Sequence, residues 1–228
     1  MTVAEPSAVR RGADWASLSA VFAPVRTPDS HEPAEERGID PAQCALVVLD
    51  YQPAVLHSVR DPDRLISGVN AVADDVRRAG GHVAYVRTAF KAADYRFIAS
   101  TNRALSAVAA DWYLQDGTPV AALHEAVDHR PDDISIRKVR VGAFCQTNLD
   151  ERLTNRGVTT LLLAGVHTSG VVLSTLREAA DRDYRIIVLR DCVADADPEL
   201  HDLLMNRVFP SQADAMTARD VCAGFSRS

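Results

Sequence analysis

Thr160-Leu161-Leu162-Leu163-Ala164-Gly165-Val166-His167-Thr168-Ser169-Gly170-Val171-Val172 decides the fold. The run Thr160–Ala164 is nearly all apolar, which predicts a strand covered on both faces, as in a parallel sheet with crossover helices. The small and polar turn Gly165–Val172 follows, and from Val172 to Asp183 apolar residues return at helical spacing. A polar loop between a buried strand and a helix N-terminus is where open α/β sheets bind ligands, because backbone N–H groups there face an anion or oxyanion. At Val171, where such a turn would carry a nucleophile, this chain has no ionisable atom.

The same texture extends outward from that turn. Apolar runs predict strands at Cys44–Leu49, His82–Val86, Asp133–Lys138, Ile186–Leu189 and Ala213–Met216. Helical patterns lie between them at Asp63–Ala79, Asn102–Ala110, Thr147–Arg156, Gly170–Asp183 and Pro198–Val208. Gly80-Gly81 and Gly157 sit where helices must stop, and Asp197-Pro198 supplies a cap and a first-turn proline. Strand–helix alternation without internal repeats predicts one doubly wound α/β sheet. Residues 1–42 differ: they hold Pro6, Pro24, Pro28, Pro33 and Pro41 and one apolar patch, Trp15–Val25. This N-terminal extension reads either as an arm docked through Trp15, Leu18 and Phe22 or as a disordered tail. Ala89–Asp132 is the other irregular part, and its Phe90, Tyr95, Phe97, Trp112 and Tyr113 suit a lid, a pocket wall or a plain insertion on the sheet.

A hydrophobic fraction of 47% is enough for a full core, and a net charge of −6 without any basic stripe argues against nucleic-acid binding. Cys44, Cys145, Cys192 and Cys222 are scattered, which predicts reduced thiols rather than a disulfide framework. The first residues lack the apolar core of a signal peptide, and no apolar run is long enough for a membrane span. The expectation is a cytoplasmic protein without membrane partners that handles a small molecule. No glycine-rich phosphate loop follows a strand, so no cofactor is expected.

Side chains just beyond neighbouring strand ends converge in an open parallel sheet. Asp50 follows the first strand with Gln52 two residues on, Lys138 closes the third, and Arg87 and Arg140 stand close by in sequence. A carboxylate and an ammonium at one crevice can position a substrate and move a proton. The plainer alternatives stay open, an Asp that forms a turn and a Lys on a solvated rim. Arg87 and Arg140 read either as ligands for a substrate carboxylate or as surface ion pairs.

Leu46-Val47-Val48-Leu49-Asp50-Tyr51-Gln52 resembles the first motif of the isochorismatase-like cysteine hydrolases, a hydrophobic strand ending in Asp-x-Gln. Lys138 with Gly142-Ala143-Phe144 and Thr147-Asn148-Leu149 is similar to the second motif, and Gly165, Thr168 and Thr175 are similar to the third. Asp191-Cys192-Val193-Ala194-Asp195 with Glu199 and His201 resembles the family's segment after the next strand. The resemblance covers roughly residues 43–217 in order. It implies a single Rossmann-like, mostly parallel sheet of about six strands with helices on both faces, formed by a domain spanning 43–228.

In amidohydrolases of that family Asp, Lys and Cys act as a triad, with the thiolate attacking the carbonyl. By resemblance Asp50 and Lys138 fill the first two places as catalytic residues, while the cysteine's place falls on Val171. Gln52, Arg87, Arg140, Phe144, His167, Thr168, Ser169, Gly170 and Val171 are the implied substrate-binding residues. The Gly170 and Val171 N–H groups form the implied oxyanion hole, beside a cis peptide at Val166-His167. The family's isochorismatases also lack the cysteine, and in them the Asp protonates a vinyl ether. Its nicotinamidases bind a metal through an Asp and two His; here Asp61 and His57 are present without the His-x-His grouping, so no metal is expected.

Three readings follow. The first is a small-molecule hydrolase without a cysteine nucleophile, with Asp50 as general acid/base and Lys138 as orienting residue, cleaving a vinyl ether or a related C–O or C–N bond. The second is a catalytically silent homologue that binds a ligand or serves assembly. The third is an amidohydrolase that recruits Cys145. The resemblance also implies a homo-oligomer, dimer or larger.

Overall fold

The computed structural model describes residues 38–225, so the Trp15–Val25 patch lies outside the described residues. Six apolar runs form six strands: β1 (Cys44–Leu49), β2 (His82–Thr88), β3 (Ile134–Lys138), β4 (Thr160–Val166), β5 (Arg185–Ala194) and β6 (Asp214–Met216). They pair in the order β3-β2-β1-β4-β5-β6, every pairing parallel. The chain therefore winds outward from β1 to one edge and then from β4 to the other. The order reverses between β1 and β4, and a crevice opens at the carboxyl ends of strands at such a point.

Seven α-helices are described: α1 (Pro53–Leu56), α2 (Pro62–Arg78), α3 (Ser106–Ala110), α4 (Leu149–Thr154), α5 (Leu173–Ala180), α6 (Pro198–Leu203) and α7 (Ala218–Phe225). Strand residues alternate between two core layers, as the period of two requires. Ala45, Val47 and Leu49 pack with Leu149, Leu153 and Leu176 of α4 and α5. Leu46 and Val48 pack with Val69, Val72 and Val76 of α2 and Val221 of α7. Helices thus cover both faces, and all of β1 is buried, which explains its uninterrupted apolar sequence. Ile39 is buried in the second layer, so packing starts ahead of the boundary expected at residue 43.

The expected stops hold at Gly80 (φ 86°) and Gly157 (φ 69°), where the left-handed backbone suits glycine. Asp197 caps α6 by accepting the N–H groups of Glu199 (3.0 Å) and Leu200 (3.2 Å). Other boundaries need correction. β2 runs on to Thr88 and β5 to Ala194, where Arg190 and Asp191 had hidden the continuation of the strand; the pairing of β4 with β5 shifts register between Leu163 and Gly165. The helix expected over Asn102–Ala110 begins only at Ser106, with Asn102 capping the turn before it at Leu105 N (3.2 Å). The patterns expected as single helices over Gly170–Asp183 and Pro198–Val208 each contain a wide turn, Thr168–Val172 and Leu204–Val208. α1 and α7 were not anticipated. Among the described residues no helix is long and apolar enough to cross a membrane.

Gly165 lies where β4 passes β1. A Cβ there would sit 2.8 Å from both Leu49 Cβ and Val172 Cγ2 and 3.3 Å from the Leu49 carbonyl, with no flexible atom able to retreat. Gly165→Ala is expected to destabilise by about 1–3 kcal/mol, the usual cost of overpacking a core. Thermal unfolding checks this: at roughly 2–4 °C per kcal/mol for a chain of this size the melting point falls by about 2–12 °C. An unchanged melting point would contradict the packing described.

Candidate functional site

Three parallel strands end side by side, and each delivers one polar group to a common point. Asp50 leaves β1 in a left-handed conformation (φ 54°), which a short acidic side chain tolerates better than most. Its N–H still reaches the Val86 carbonyl at 2.9 Å, and the Gln52 N–H folds onto the Asp50 carbonyl at 2.7 Å. Lys138 is the last residue of β3 and is in register with Thr88 at the end of β2. Lys138 Nζ donates to Asp50 Oδ2 at 2.9 Å, to Thr88 Oγ1 at 2.5 Å and to the Arg140 carbonyl at 3.2 Å. An ammonium has three N–H donors, and all are used. Thr88 Oγ1 in turn donates to Asp50 Oδ1 at 3.1 Å. The side chains are 1% exposed for Lys138 and 10% for Asp50, so water does little to screen the pair.

Gln52 builds this corner. Its amide nitrogen donates to the Thr88 carbonyl (2.9 Å) and the Ala121 carbonyl (2.8 Å), while its oxygen accepts the Thr88 N–H (2.8 Å). In this structure Gln52 ties β1 to β2 and to the segment beyond.

The turn after β4 occupies the crevice beside Asp50, because Leu49 and Gly165 are register partners. The Val166-His167 peptide is cis. The N–H of Val172 reaches back to the His167 carbonyl at 3.2 Å, a wide i to i−5 turn of the kind found at functional sites. Asp195, beyond β5, accepts the Ser169 N–H at 2.7 Å. Burial pushes the Asp195 carboxyl up, but hydrogen bonds from Ser169 and Asp197 and the charge of His167 outweigh it and hold the group below the ordinary carboxylate range. Thr168, fully buried, has its Oγ1 2.9 Å from His201 Nδ1. Val171 is buried in the layer that contains Leu49, Phe144 and Val172.

The loop after Lys138 is moored to α5: Thr175 Oγ1 accepts the Ala143 N–H (3.1 Å), and Glu178 accepts the Phe144 N–H (3.0 Å). Gly142 packs so tightly against the Glu178 carboxylate that a Cβ would overlap it.

The sequence-predicted residues thus divide. Asp50 and Lys138 meet, joined by Thr88, which was not anticipated. Phe144 stacks on Tyr184 with ring centroids 5.9 Å apart, and Arg182 lies 4.8 Å over its ring. Arg87 points to the other face of the sheet, where it pairs with Asp116 at 2.9 Å and lines a cavity of about 710 Å3 with Arg137 and His129. Arg140 donates to the carbonyls of Val139 (2.7 Å) and Phe97 (3.3 Å). His167 turns its Nε2 to Ser58 Oγ, 2.7 Å away, a pairing of distant residues with no sequence signal. Thr88 was legible only if β2 had been extended two residues, which puts it on the same face as Val86 and level with Lys138.

No group of three or more His, Cys, Asp or Glu suited to a metal ion occurs among the described residues. Burial pushes the thiols of Cys44 and Cys192 up to about 12, and burial with the Asp75 carboxylate does the same for Cys222; Cys145 and Cys222 are both half-buried.

A family profile described as the isochorismatase domain matches residues 44–220. The chain is 25% identical over 186 residues to the isochorismatase family protein YwoC of Bacillus subtilis (strain 168), covering 80% of this chain and 94% of that protein. Over 105 residues it is 32% identical to the maleamate amidohydrolase of Pseudomonas putida, covering 46% of this chain and 49% of that enzyme. The solved structure of an isochorismatase family protein from Burkholderia thailandensis matches with a TM-score of 0.73 at 25% identity, over 83% of this chain and 98% of that one.

Because the thiolate is the reactive form, iodoacetamide at pH 8 is expected to modify Cys145 in the native protein and to spare Cys44, Cys192 and Cys222 until unfolding. Peptide mass spectrometry checks this. Loss of hydrolytic activity in step with Cys145 labelling would favour a thiol enzyme.

Proposed function

We propose a reaction from one premise: the chain belongs to the isochorismatase family, whose members include amidohydrolases. It is a small-molecule hydrolase that works without a cysteine nucleophile, with Asp50 moving the proton and Lys138 fixing Asp50. The observation that carries this reading is the exhaustion of Lys138. With its three donors spent on Asp50, Thr88 and the Arg140 carbonyl, the ammonium has none left for a substrate. Asp50 keeps unused lone-pair positions on the same carboxyl and is the group left to act on a substrate.

At a vinyl ether, Asp50 first takes up a proton from solvent and gives it to the alkene carbon, and the oxocarbenium ion that forms takes up water. The resulting hemiketal loses its alcohol, and the proton released by water returns to Asp50. Lys138 stabilises the carboxylate between these steps. The Gly165–Val172 turn supplies the wall over the substrate, with the Val171 N–H near the negative charge that an amide reaction develops and His167 and Ser169 along the rim; the Gly170 N–H is spent on the His167 carbonyl and Thr168 is buried behind them. For an amide, the bond class named in the Pseudomonas putida relative, Asp50 takes a proton from the attacking water instead and returns it to the nitrogen as the C–N bond of the tetrahedral adduct breaks.

The chain works as a homo-oligomer in the cytoplasm, without metal or cofactor. Phe97 (76% exposed), Trp112 and Leu203 (both 52%) are large apolar groups suited to a subunit contact. Light scattering that shows a monomer at assay concentration would remove that part of the reading.

Turnover of cyclic vinyl ethers and small amides is the direct test, followed by chromatography of the products. Asp50→Asn is expected to lower turnover by about 100- to 10,000-fold, the range for loss of a general acid or base. Val171→Ala leaves the chemistry in place, and Thr88→Val reduces it while keeping the fold. Full activity in Asp50→Asn would overturn the mechanism. An absence of turnover on every substrate, with ligand still bound, would favour the silent homologue.

A further inference from the structure

Ser58 pairs with His167, a rim residue of the Asp50 site whose imidazole takes no proton in that chemistry. Ser58 follows α1 at the protein surface, with its Oγ 2.7 Å from His167 Nε2. The imidazole is carried by a pinned backbone, because the His167 carbonyl accepts the N–H groups of Gly170 and Val172, both at 3.2 Å. Ser58 and Asp195 line a cavity of about 200 Å3 together with Arg60, Val193 and His201. Neither Asp50 nor Lys138 lines it. The cavity is below the roughly 300–1,000 Å3 usual for drug-sized ligands, so only a small group fits.

The geometry points to a second hydrolytic centre, with Ser58 as nucleophile and His167 as its base, acting on short-chain carboxylic esters. A serine hydroxyl is inert until a neighbouring base takes its proton, and a base 2.7 Å away meets that requirement. The hydroxyl proton has two acceptors within reach, the Val55 carbonyl at 2.6 Å and His167 Nε2 at 2.7 Å. Rotation about the Cα–Cβ and Cβ–Oγ bonds is enough to move it from the first to the second when the imidazole carries its own proton on Nδ1. Ser58 Oγ then bonds to the ester carbonyl carbon as its proton passes to Nε2. The tetrahedral adduct breaks its bond to the alkoxide, which leaves with the proton from Nε2. Water attacks the acyl-serine by the same route, giving up a proton to Nε2, and Ser58 is regenerated as the carboxylic acid departs.

This centre shares His167 with the rim of the Asp50 site but needs none of the proton transfer proposed for Asp50, so Asp50→Asn and Ser58→Ala test the two separately.

4-Nitrophenyl acetate, given to the full chain, tests it. Nitrophenolate release is followed by absorbance, and the acetylated peptide is located by mass spectrometry. The expected result is an acetyl group on Ser58, lost in Ser58→Ala together with ester hydrolysis and retained in Asp50→Asn. His167→Gln is expected to slow acetylation by about 100-fold or more, the contribution of a positioned base. Because Ser58 is exposed, Ser58→Ala keeps the native melting point, so a lost signal is not lost folding. Acetylation confined to lysines or Cys145, or hydrolysis unchanged in Ser58→Ala, would overturn the inference.

Discussion

The ion pair between Lys138 and Asp50 is the constraint on which the site depends. Two buried charges repay their desolvation only when the geometry is good and the remaining hydrogen-bonding groups are satisfied. Here that condition falls on three strands at once. β3 brings the ammonium, β2 brings the threonine hydroxyl that bridges the pair, and β1 ends in a left-handed residue that aims the carboxylate. Removing one partner of such a pair typically costs about 3–5 kcal/mol, because the survivor remains buried and uncompensated. A buried pair is therefore a poor way to gain stability compared with an apolar pair of equal volume. Its Asp50 stands at the end of β1, where the strand order reverses.

The rest of the crevice is built to hold that pair in place. Gln52 stitches β1 to β2 with its whole amide, and Thr175 and Glu178 hold the loop that follows Lys138. The motif threonine at Thr175 thus acts through backbone, not through a ligand. Asp195 does the same on the other flank by fixing Ser169. Each of these polar groups is spent on main chain, so the scaffold is rigid and the groups left for a substrate are few.

The alternating texture of the chain made the parallel sheet legible, though not its strand order, since β1 and β4 are buried on both faces and have no polar side to show. What escaped was local. Thr88 was missed because the strand containing it looked finished at Val86. The wide turn at Thr168–Val172 has no signature in residue type, since it arises from how the chain leaves β4. Asp50 and Lys138 were visible through their position at strand ends and through motif resemblance together. Arg87 shows how much one step along a strand matters, since it reverses the face: Arg87 pairs with Asp116, while Thr88 beside it bridges Asp50 and Lys138.

Val171 then takes on a specific meaning. It is buried among Leu49, Phe144 and Val172, filling with carbon the place that resemblance gives to sulfur. A branched apolar side chain there continues the core layer up to the turn. If activity had simply decayed, the neighbouring charges would have lost their purpose while still carrying their desolvation cost, and substitutions toward apolar residues would have relieved the strain of burying them. The polar corner of Asp50, Thr88, Lys138 and Gln52 is complete, with each member hydrogen-bonded to another or to main chain.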